Sequence, residues 1–349
     1  MIKTTRVSAL FALSLFGTLS LMTTSWAGTT IKFGTVFLPV QSTWQIIDKR
    51  LAAVTAETKG EVTFDVGFDS KYAKVTETVE KVESGDLQMA YIVFSSKPSR
   101  FASTGVVELP LIRRTSLAGT RALCGLQATG MFDKDFAGLK VLATWALPTY
   151  AILLDDKRPV ATPSDLRGLK IRAPGPTGGR ALQKLGAIPV NLAISDMGKA
   201  LASGMVQGIA YGLYNSATTA GVEGKMLGDQ VTQILDIGFS APAVGIFMSE
   251  KYFNTLPADV QQSLVRNLSA DCSLSTEIAA DRDKQESTTR DEWAKDGRHR
   301  FVTFDQAGLD DMRKEMTDVY DEWAASVAKQ GVDGKALIEK ARAIIGQNE

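Results

Sequence analysis

The order of strand-like and helix-like patterns is the feature that most constrains the fold of this chain. Residues 29–37 alternate as a strand does, and residues 43–57 place apolar side chains at the three- and four-residue spacings of a helix. A second strand pattern at 62–68, a helix at about 74–83 and an apolar run at 87–94 follow. This alternation predicts an α/β layer built on a mostly parallel sheet.

The same alternation returns in the middle of the chain and predicts a second α/β unit. Strands are predicted at 140–144, 169–172, 188–191, 208–211, 231–237 and 243–248, and helices at 177–185 and from a cap at Ser195 to about 203. Beyond residue 257 the spacing is helical, which predicts C-terminal helices that brace both units. No Pro-rich or Ser-rich linker separates the units, so we expect strands or short crossings to form a hinge between them.

The N-terminus has the pattern of an export signal. Lys3 and Arg6 precede an apolar run over 7–22, and Ser25-Trp26-Ala27 supplies the small residues of a cleavage site. We predict a signal peptide over 1–27, cleaved after Ala27; an uncleaved anchor is the alternative.

Charge and cysteine content narrow the class of protein further. The chain has 39 basic and 39 acidic residues, and removal of Lys3 and Arg6 with the signal peptide leaves 37 and 39, a formal charge of minus 2. Such a balance provides no basic surface for nucleic acid or an anionic membrane. Cys124 and Cys272 are expected either to form a disulfide in the exported protein or to remain buried thiols.

No catalytic, metal or cofactor pattern is present in the sequence. The one histidine, His299, lies in a charged stretch at 296–300 that we expect to be solvated, which disfavours catalysis. There is no Cys-x-x-Cys, no calcium-binding loop, no nucleophile elbow and no phosphate-binding loop. The Gly-rich stretch at 174–180 is interpreted as a loop before a helix, with anion binding at the helix start as the alternative.

Arg172 is the strongest candidate for a ligand contact. It ends the predicted strand GLKIR, and the Ala-Pro-Gly-Pro that follows stops the strand at once. A guanidinium at the carboxyl end of a strand faces the crevice where α/β proteins bind ligands, and its donors match a carboxylate. The alternative is a surface arginine at a strand end.

Several stretches, in their order and spacing, carry a resemblance to a known family. They are 109–111 (LPL), 157–160 (KRPV), 162–172 (TPSDLRGLKIR), 185–190 (LGAIPV), 206–208 (VQG), 256–261 (LPADVQ) and 319–323 (VYDEW). In these the chain resembles the solute-binding proteins of tripartite ATP-independent periplasmic (TRAP) transporters, of the dicarboxylate-receptor type.

The resemblance implies a two-lobe periplasmic binding protein, a type II-like clamp with hinge strands and long C-terminal helices that span both lobes. We expect lobe I at 28–147 plus about 237–277, and lobe II with the bracing helices at 148–236 plus about 278–349. It also implies a periplasmic location, a membrane permease as partner, and pairing of Arg172 with the carboxylate of the ligand. We further expect a monomer that is not an enzyme.

Two departures from the family pattern bear on the ligand. Tyr150 stands where relatives commonly have a second arginine, and Tyr211 stands where they commonly have an asparagine. Aromatic side chains at or near positions that face the cleft are Phe37, Phe94, Trp145 and Tyr214. Aromatic walls favour a ligand with an aromatic or apolar body. For Phe37, Phe94 and Tyr214 the alternative is that the ring is buried in the core and does not contact the ligand.

The sequence therefore predicts a receptor that captures a small organic acid and delivers it to a permease. We expect this acid to be a monocarboxylate with an aromatic or apolar body rather than a typical dicarboxylate. The alternatives are a receptor for C4-dicarboxylates, a ligand sensor for a signalling partner, and an exported enzyme.

Overall fold

The computed structural model describes residues 28–155, 157–268 and 271–348. The predicted signal peptide therefore lies outside the described residues. The strands are β1 Thr29–Gly34, β2 Val62–Gly67, β3 Met89–Val93, β4 Leu139–Ala146, β5 Tyr150–Leu154, β6 Lys170–Arg172, β7 Ile188–Val190, β8 Gly208–Tyr211, β9 Gln233–Phe239, β10 Ala243–Ser249 and β11 Arg300–Phe301.

The helices fill the connections between these strands and most of the C-terminal third. They are α1 Ser42–Glu57, α2 Thr78–Ser84, α3 Ser116–Ala128, α4 Asp133–Phe136, α5 Pro176–Lys184, α6 Met197–Ala202, α7 Leu213–Thr218, α8 Glu250–Phe253, α9 Ala258–Leu268, α10 Ser273–Trp293, α11 Gln306–Ala328 and α12 Gly334–Gly346. Within the described ranges, none of them is both long and apolar enough to cross a membrane.

Two sheets form the centres of two lobes. The sheet of the first lobe has the strand order β2-β1-β3-β10-β4, and that of the second lobe has the order β11-β9-β5-β8-β6-β7. Strand β10 is antiparallel to both of its neighbours, and so is β5, whereas the other paired strands run parallel. The predicted α/β class is confirmed, with one antiparallel strand in each otherwise parallel sheet.

The chain passes between the lobes at two short crossings, residues 147–149 between β4 and β5 and residues 240–242 between β9 and β10. The predicted boundary at 147/148 falls in the first crossing. The boundary predicted near 237 falls inside β9, so the second crossing lies a few residues later than expected. Short crossings between two sheets are the form that hinges take in clamp-like binding proteins.

The C-terminal helices connect the lobes. Helix α10 contacts α1, α3 and β4 in the first lobe and α7 in the second. Helix α11 packs on α5 of the second lobe, and α12 packs on α3 of the first. The prediction placed residues after about 278 in the second lobe and its bracing helices. Of these, α12 packs on the first lobe, where its buried face, including Leu337 and Ala341, covers α3.

A disulfide joins α3 to the start of α10. Cys124 and Cys272, for which the sequence left two alternatives open, are bonded, with their Cα atoms 6.4 Å apart. The bond links residues 148 positions apart in sequence and attaches α10 to the first lobe.

A buried carboxyl group braces the second crossing. The side chain of Glu108 accepts a hydrogen bond from the backbone N–H of Ala243 at 2.8 Å. The backbone carbonyl of Glu108 accepts one from the hydroxyl of Ser240 at 2.6 Å. Burial raises the pKa of Glu108 to about 7, against the opposing effects of the Ala243 N–H and of Arg113. The crossing therefore depends on a group that changes charge near neutral pH.

We expect Glu108 to make the protein less stable as the pH rises. Its pKa is higher in the folded than in the unfolded chain, so the stabilisation is complete below the unfolded value and is lost as the pH passes about 7. The loss between pH 6 and pH 8 should be about 1 kcal/mol. Urea unfolding of wild type and Glu108→Gln across this pH range checks the expectation. If the free energy of unfolding falls with pH as steeply in the variant as in wild type, Glu108 is not the cause.

Candidate functional site

Arg172 lies at the end of β6, half-buried, where the sequence predicts it. The strand stops because Pro174 and Pro176 flank Gly175, whose φ of 138° is open to glycine but not to other residues, and Pro176 then begins α5. Across the lobe boundary, Gly175 lies against the side chain of Ser95, since a Cβ at Gly175 would be 3.4 Å from that residue's Cβ. The turn thus holds Arg172 where the two lobes meet.

Among the described residues, the guanidinium of Arg172 is hydrogen-bonded only to neutral acceptors. Its Nε donates to the carbonyl of Leu192 at 3.4 Å, and a terminal nitrogen donates to the carbonyl of Ala210 at 3.2 Å. Within the described part of the chain no carboxylate lies within ion-pair distance of it. Burial lowers the pKa of Arg172, but an arginine titrates so far above neutrality that it stays charged. The site therefore holds a cation without a protein counter-ion.

Two tyrosines flank Arg172 because of the strand register. Strand β8 lies between β6 and β5, and it places Tyr211 opposite Ala151, beside Tyr150. The Tyr211 ring centroid is 6.0 Å from the guanidinium carbon of Arg172, and the two tyrosine rings meet edge to face at 5.4 Å. Burial raises the pKa of both tyrosines, so both hydroxyls are neutral. The structure brings Arg172, Tyr150 and Tyr211 together at one end of the second lobe's sheet.

The first lobe contributes a second group of rings. Trp145, near the end of β4, lies 5.8 Å from the ring of Tyr91, and Tyr91 meets the half-buried Phe37 edge to face at 4.8 Å. Trp145 has no exposed surface, and its indole nitrogen finds no acceptor among the described residues. Tyr91 was not predicted, because it sits in the middle of an apolar run that is typical of a buried strand.

Phe94 and Tyr214 have different surroundings from the residues above. The ring of Phe94 stacks on Phe101 at 4.9 Å and contacts Phe136 and Phe247, each at 5.8 Å. This packing matches the alternative of a core residue, and we leave Phe94 out of the site. Tyr214, half-buried on α7, has the guanidinium of Arg282 5.0 Å from its ring centroid.

Arg282 and Glu286, on α10, were also missed by the sequence interpretation. Both are buried although their segment, DRDKQE, reads as an exposed helix face. One carboxylate oxygen of Glu286 accepts the backbone N–H groups of Leu213 and Tyr214, at 2.8 and 3.3 Å, at the start of α7. Burial raises the pKa of Glu286 to about 7, against the effect of Arg282. The four-residue spacing of Ile278, Arg282 and Glu286 is the one sequence signal that could have indicated a buried stripe.

His299 differs from the expectation of a solvated residue. Its ring stacks on Trp293 at 4.0 Å and bonds to Asp296 and to the carbonyl of Gly228, so it packs as a structural residue of the second lobe. Within the described residues no group of three or more His, Cys, Asp or Glu side chains converges to hold a metal ion.

Comparison with known proteins agrees with this fold. Residues 33–326 match the family described as bacterial extracellular solute-binding protein, family 7. A solute-binding protein of Verminephrobacter eiseniae is 25% identical over 222 residues, 63% of this chain and 64% of that protein. The 2,3-diketo-L-gulonate-binding periplasmic protein of Escherichia coli is 24% identical over 192 residues, 54% of this chain and 58% of that protein. The chain thus spans under two thirds of the length of these two relatives.

Two solved structures show the same fold over nearly their whole length. A TRAP solute-binding protein from a marine metagenome, described as specific for aromatic acid ligands and bound to metahydroxyphenylacetate, superposes with a TM-score of 0.81 at 20% identity, covering 91% of this chain and 98% of that one. A TRAP solute-binding protein of Rhodoferax ferrireducens with copurified benzoate gives 0.78 at 20% identity, again covering 91% and 98%. With a family match over most of its length and the two-lobe fold of these receptors, the chain belongs to the bacterial extracellular solute-binding proteins of family 7.

Proposed function

We propose that this chain is the receptor of a TRAP transporter, that it binds the carboxylate of a small organic acid through Arg172, and that it delivers the acid to a membrane permease. The observation that carries this proposal is the half-buried guanidinium of Arg172, whose hydrogen bonds within the described part of the chain go only to backbone carbonyls. A buried charge is costly unless it is paired, and a ligand carboxylate supplies the missing partner with matched donor geometry.

The aromatic side chains beside Arg172 and in the first lobe favour a ligand with a ring or an apolar body. Tyr150 and Tyr211 line the second lobe, and Phe37, Tyr91 and Trp145 stand in the first. Aromatic faces and edges interact best with another ring. The neutral hydroxyls, and the indole N–H of Trp145, which has no acceptor among the described residues, supply hydrogen bonds. An aromatic monocarboxylate fits this combination better than a C4-dicarboxylate, because an aliphatic diacid has no ring to place against these aromatic surfaces.

Closure of the lobes around the ligand produces the form of the receptor that the permease recognises. A ligand favours the closed form to the extent that it binds that form better than the open one. Here a ligand on Arg172 of the second lobe would reach Trp145 and Tyr91 of the first only when the lobes are together. The ligand leaves chemically unchanged, so recovery of the same acid after incubation distinguishes a receptor from an exported enzyme.

The location and the assembly state form part of the same proposal. Cleavage after Ala27 would release a mature chain that begins at Gly28 into the periplasm, and the receptor would act there as a monomer. N-terminal sequencing and size-exclusion chromatography of the exported protein test both statements. Uptake of the ligand that depends on a TRAP permease separates a transport receptor from a sensor that serves a signalling partner.

A ligand screen tests the proposed function directly. Mature protein is mixed with benzoate, hydroxyphenylacetates and mandelate, with succinate and malate, and with sugar acids, and thermal unfolding is followed. A ligand at a hundred times its Kd adds about 2.7 kcal/mol of stability, a rise of several degrees in Tm. We expect aromatic acids to give such a rise, and native mass spectrometry to find an acid of this class copurified. Stabilisation by succinate or malate with none by aromatic acids would establish the dicarboxylate alternative instead.

A further inference from the structure

One buried stripe on α10 runs from the core of the first lobe to that of the second. Its residues Ile278, Arg282, Glu286 and Trp293 recur at helical spacing. Ile278 belongs to the hydrophobic cluster that contains Tyr91 and Trp145, whereas Trp293 belongs to the cluster that contains Tyr150 and Tyr211. Arg282 is one turn beyond Ile278, so it lies between the two groups of rings, at the boundary where a ligand on Arg172 would be enclosed.

Arg282 is a buried cation with neutral partners. It exposes 7% of its surface, and its two terminal nitrogens donate to Gln285 Oε1 at 2.9 Å and to Asn215 Oδ1 at 2.6 Å. Tyr214 stacks beneath the guanidinium. A guanidinium has five N–H donors, and the two bonds found leave three for another acceptor. Like Arg172, therefore, Arg282 has donors to offer and an aromatic surface on one side.

The nearest carboxyl group on the same helix face compensates Arg282 only in part. Glu286 lies one turn along α10 and its charge acts on Arg282, but no ion pair joins the two within the described chain. One of its oxygens is committed to the backbone of α7, and burial raises its pKa to about 7, so near neutrality Glu286 is only partly ionised. A ligand group could supply the remaining counter-charge.

The charges of Arg172 and Arg282 both affect the pKa values of the cleft tyrosines. Burial raises the pKa of Tyr150, and the charges of Arg172 and Arg282 both act against that rise. The same two arginines act in the same direction on Tyr211, whose pKa is raised chiefly by burial. Arg282 also acts on Tyr91 in the first lobe. The charges of both guanidinium groups thus act on the same tyrosine hydroxyls.

We propose that Arg282 is a second ligand-binding residue, which selects organic acids that carry another oxygen acceptor on the part of the molecule remote from the carboxylate held by Arg172. The acceptor can be a hydroxyl, a keto group or a second carboxylate. This assignment rests on the proposed function, since it takes Arg172 as the site of the first carboxylate. Arg282 lies on α10, the helix that contacts both lobes. The separation of Arg282 from Arg172 therefore selects ligands by the distance between their carboxylate and their second acceptor.

Paired ligands test the assignment. The Kd values of benzoate, 3- and 4-hydroxybenzoate, isophthalate and terephthalate are measured by calorimetry for wild type and Arg282→Gln, which removes the charge but keeps hydrogen-bonding capacity. Loss of a charge-assisted hydrogen bond should weaken the tightest oxygen-bearing ligand about 10- to 100-fold. Binding of benzoate, which lacks the second acceptor, should change less than about 3-fold. The matched control is Arg290→Gln, on the same helix but ion-paired with Asp236, and it should change neither Kd.

The possible outcomes separate binding from folding. Equal losses for benzoate and the oxygen-bearing acids, or no loss for either, would overturn the assignment, and so would a wild-type preference for benzoate over every oxygen-bearing analogue. A structural role would instead lower the Tm of the ligand-free variant, and we expect that Tm to stay within a few degrees of wild type. Absence of binding of any acid by wild type would overturn the proposed function, and the assignment of Arg282 with it.

Discussion

Replacement of Arg172 by methionine should lower the affinity for the carboxylate ligand by about 30-fold to several thousand-fold. The change removes the only charge at the end of β6 and keeps the apolar stem. Loss of one partner of a buried, hydrogen-bonded charge pair costs about 2–5 kcal/mol, most of it because the other partner is left without a counter-charge. Calorimetric titration of the acid identified in the ligand screen measures the loss.

The ligand-free protein should respond differently to the same substitution. In the free protein Arg172 is bonded to two neutral carbonyls and has no carboxylate partner in the described chain, so its removal should leave the Tm unchanged or slightly higher. Arg180→Gln, on α5 and ion-paired with Glu322, is the matched control and should keep wild-type affinity. An Arg172→Met protein that binds the acid as wild type does would refute the role of Arg172.

Removal of the disulfide should have the largest effect on stability. A Cys124→Ala, Cys272→Ala double variant frees a loop that spans 148 positions, and loss of a native disulfide typically costs about 2–5 kcal/mol. Urea unfolding of the oxidised wild type and of the variant measures the difference. Reductant should lower the wild-type midpoint to that of the variant and leave the variant unchanged. Equal midpoints for oxidised wild type and variant would contradict a stabilising role.

Much of the fold follows from local sequence patterns. Helix α1 was predicted because Trp44, Ile47, Leu51 and Val54 recur on one face, and all four are buried. Strand β6 was predicted from GLKIR and its Pro-Gly-Pro stop. Strand β5 was not predicted, because YAILL is a short continuous apolar run, and such a run does not distinguish a buried strand from a piece of helix. Helices α3 and α7 were missed as well.

Only those residues of the candidate site that lie at the ends of strands were predictable from the sequence. Arg172, Tyr150 and Tyr211 come together through the register of three neighbouring strands. The resemblance indicated the positions of these residues in the family's ligand site, but not the strand register. The burial of Arg282 depends on the rotation of α10 between the two lobes. Within its run of charged residues, the four-residue spacing from Ile278 is the one sequence signal that it faces inward. Phe94 is an example of the opposite error: it was predicted to lie near the cleft, but it packs against other phenylalanines in the core. An aromatic residue next to a strand end can face either way.

The positions of β5 and β10 have a consequence for the order of folding. Each is the first strand after a crossing, and each lies between two strands of the lobe that the chain has just entered. Until residues 243–249 are available, β3 and β4 therefore keep unpaired edges in the middle of their sheet. The strands of the second lobe, apart from β11, come from the continuous stretch 150–239 and can pair first. Exposed strand edges promote association between chains. A chain that emerges N-terminus first should thus pair strands β5 to β9 of its second lobe before the sheet of its first lobe is complete. Truncation before residue 243 should yield aggregates, because β3 and β4 then keep unpaired edges.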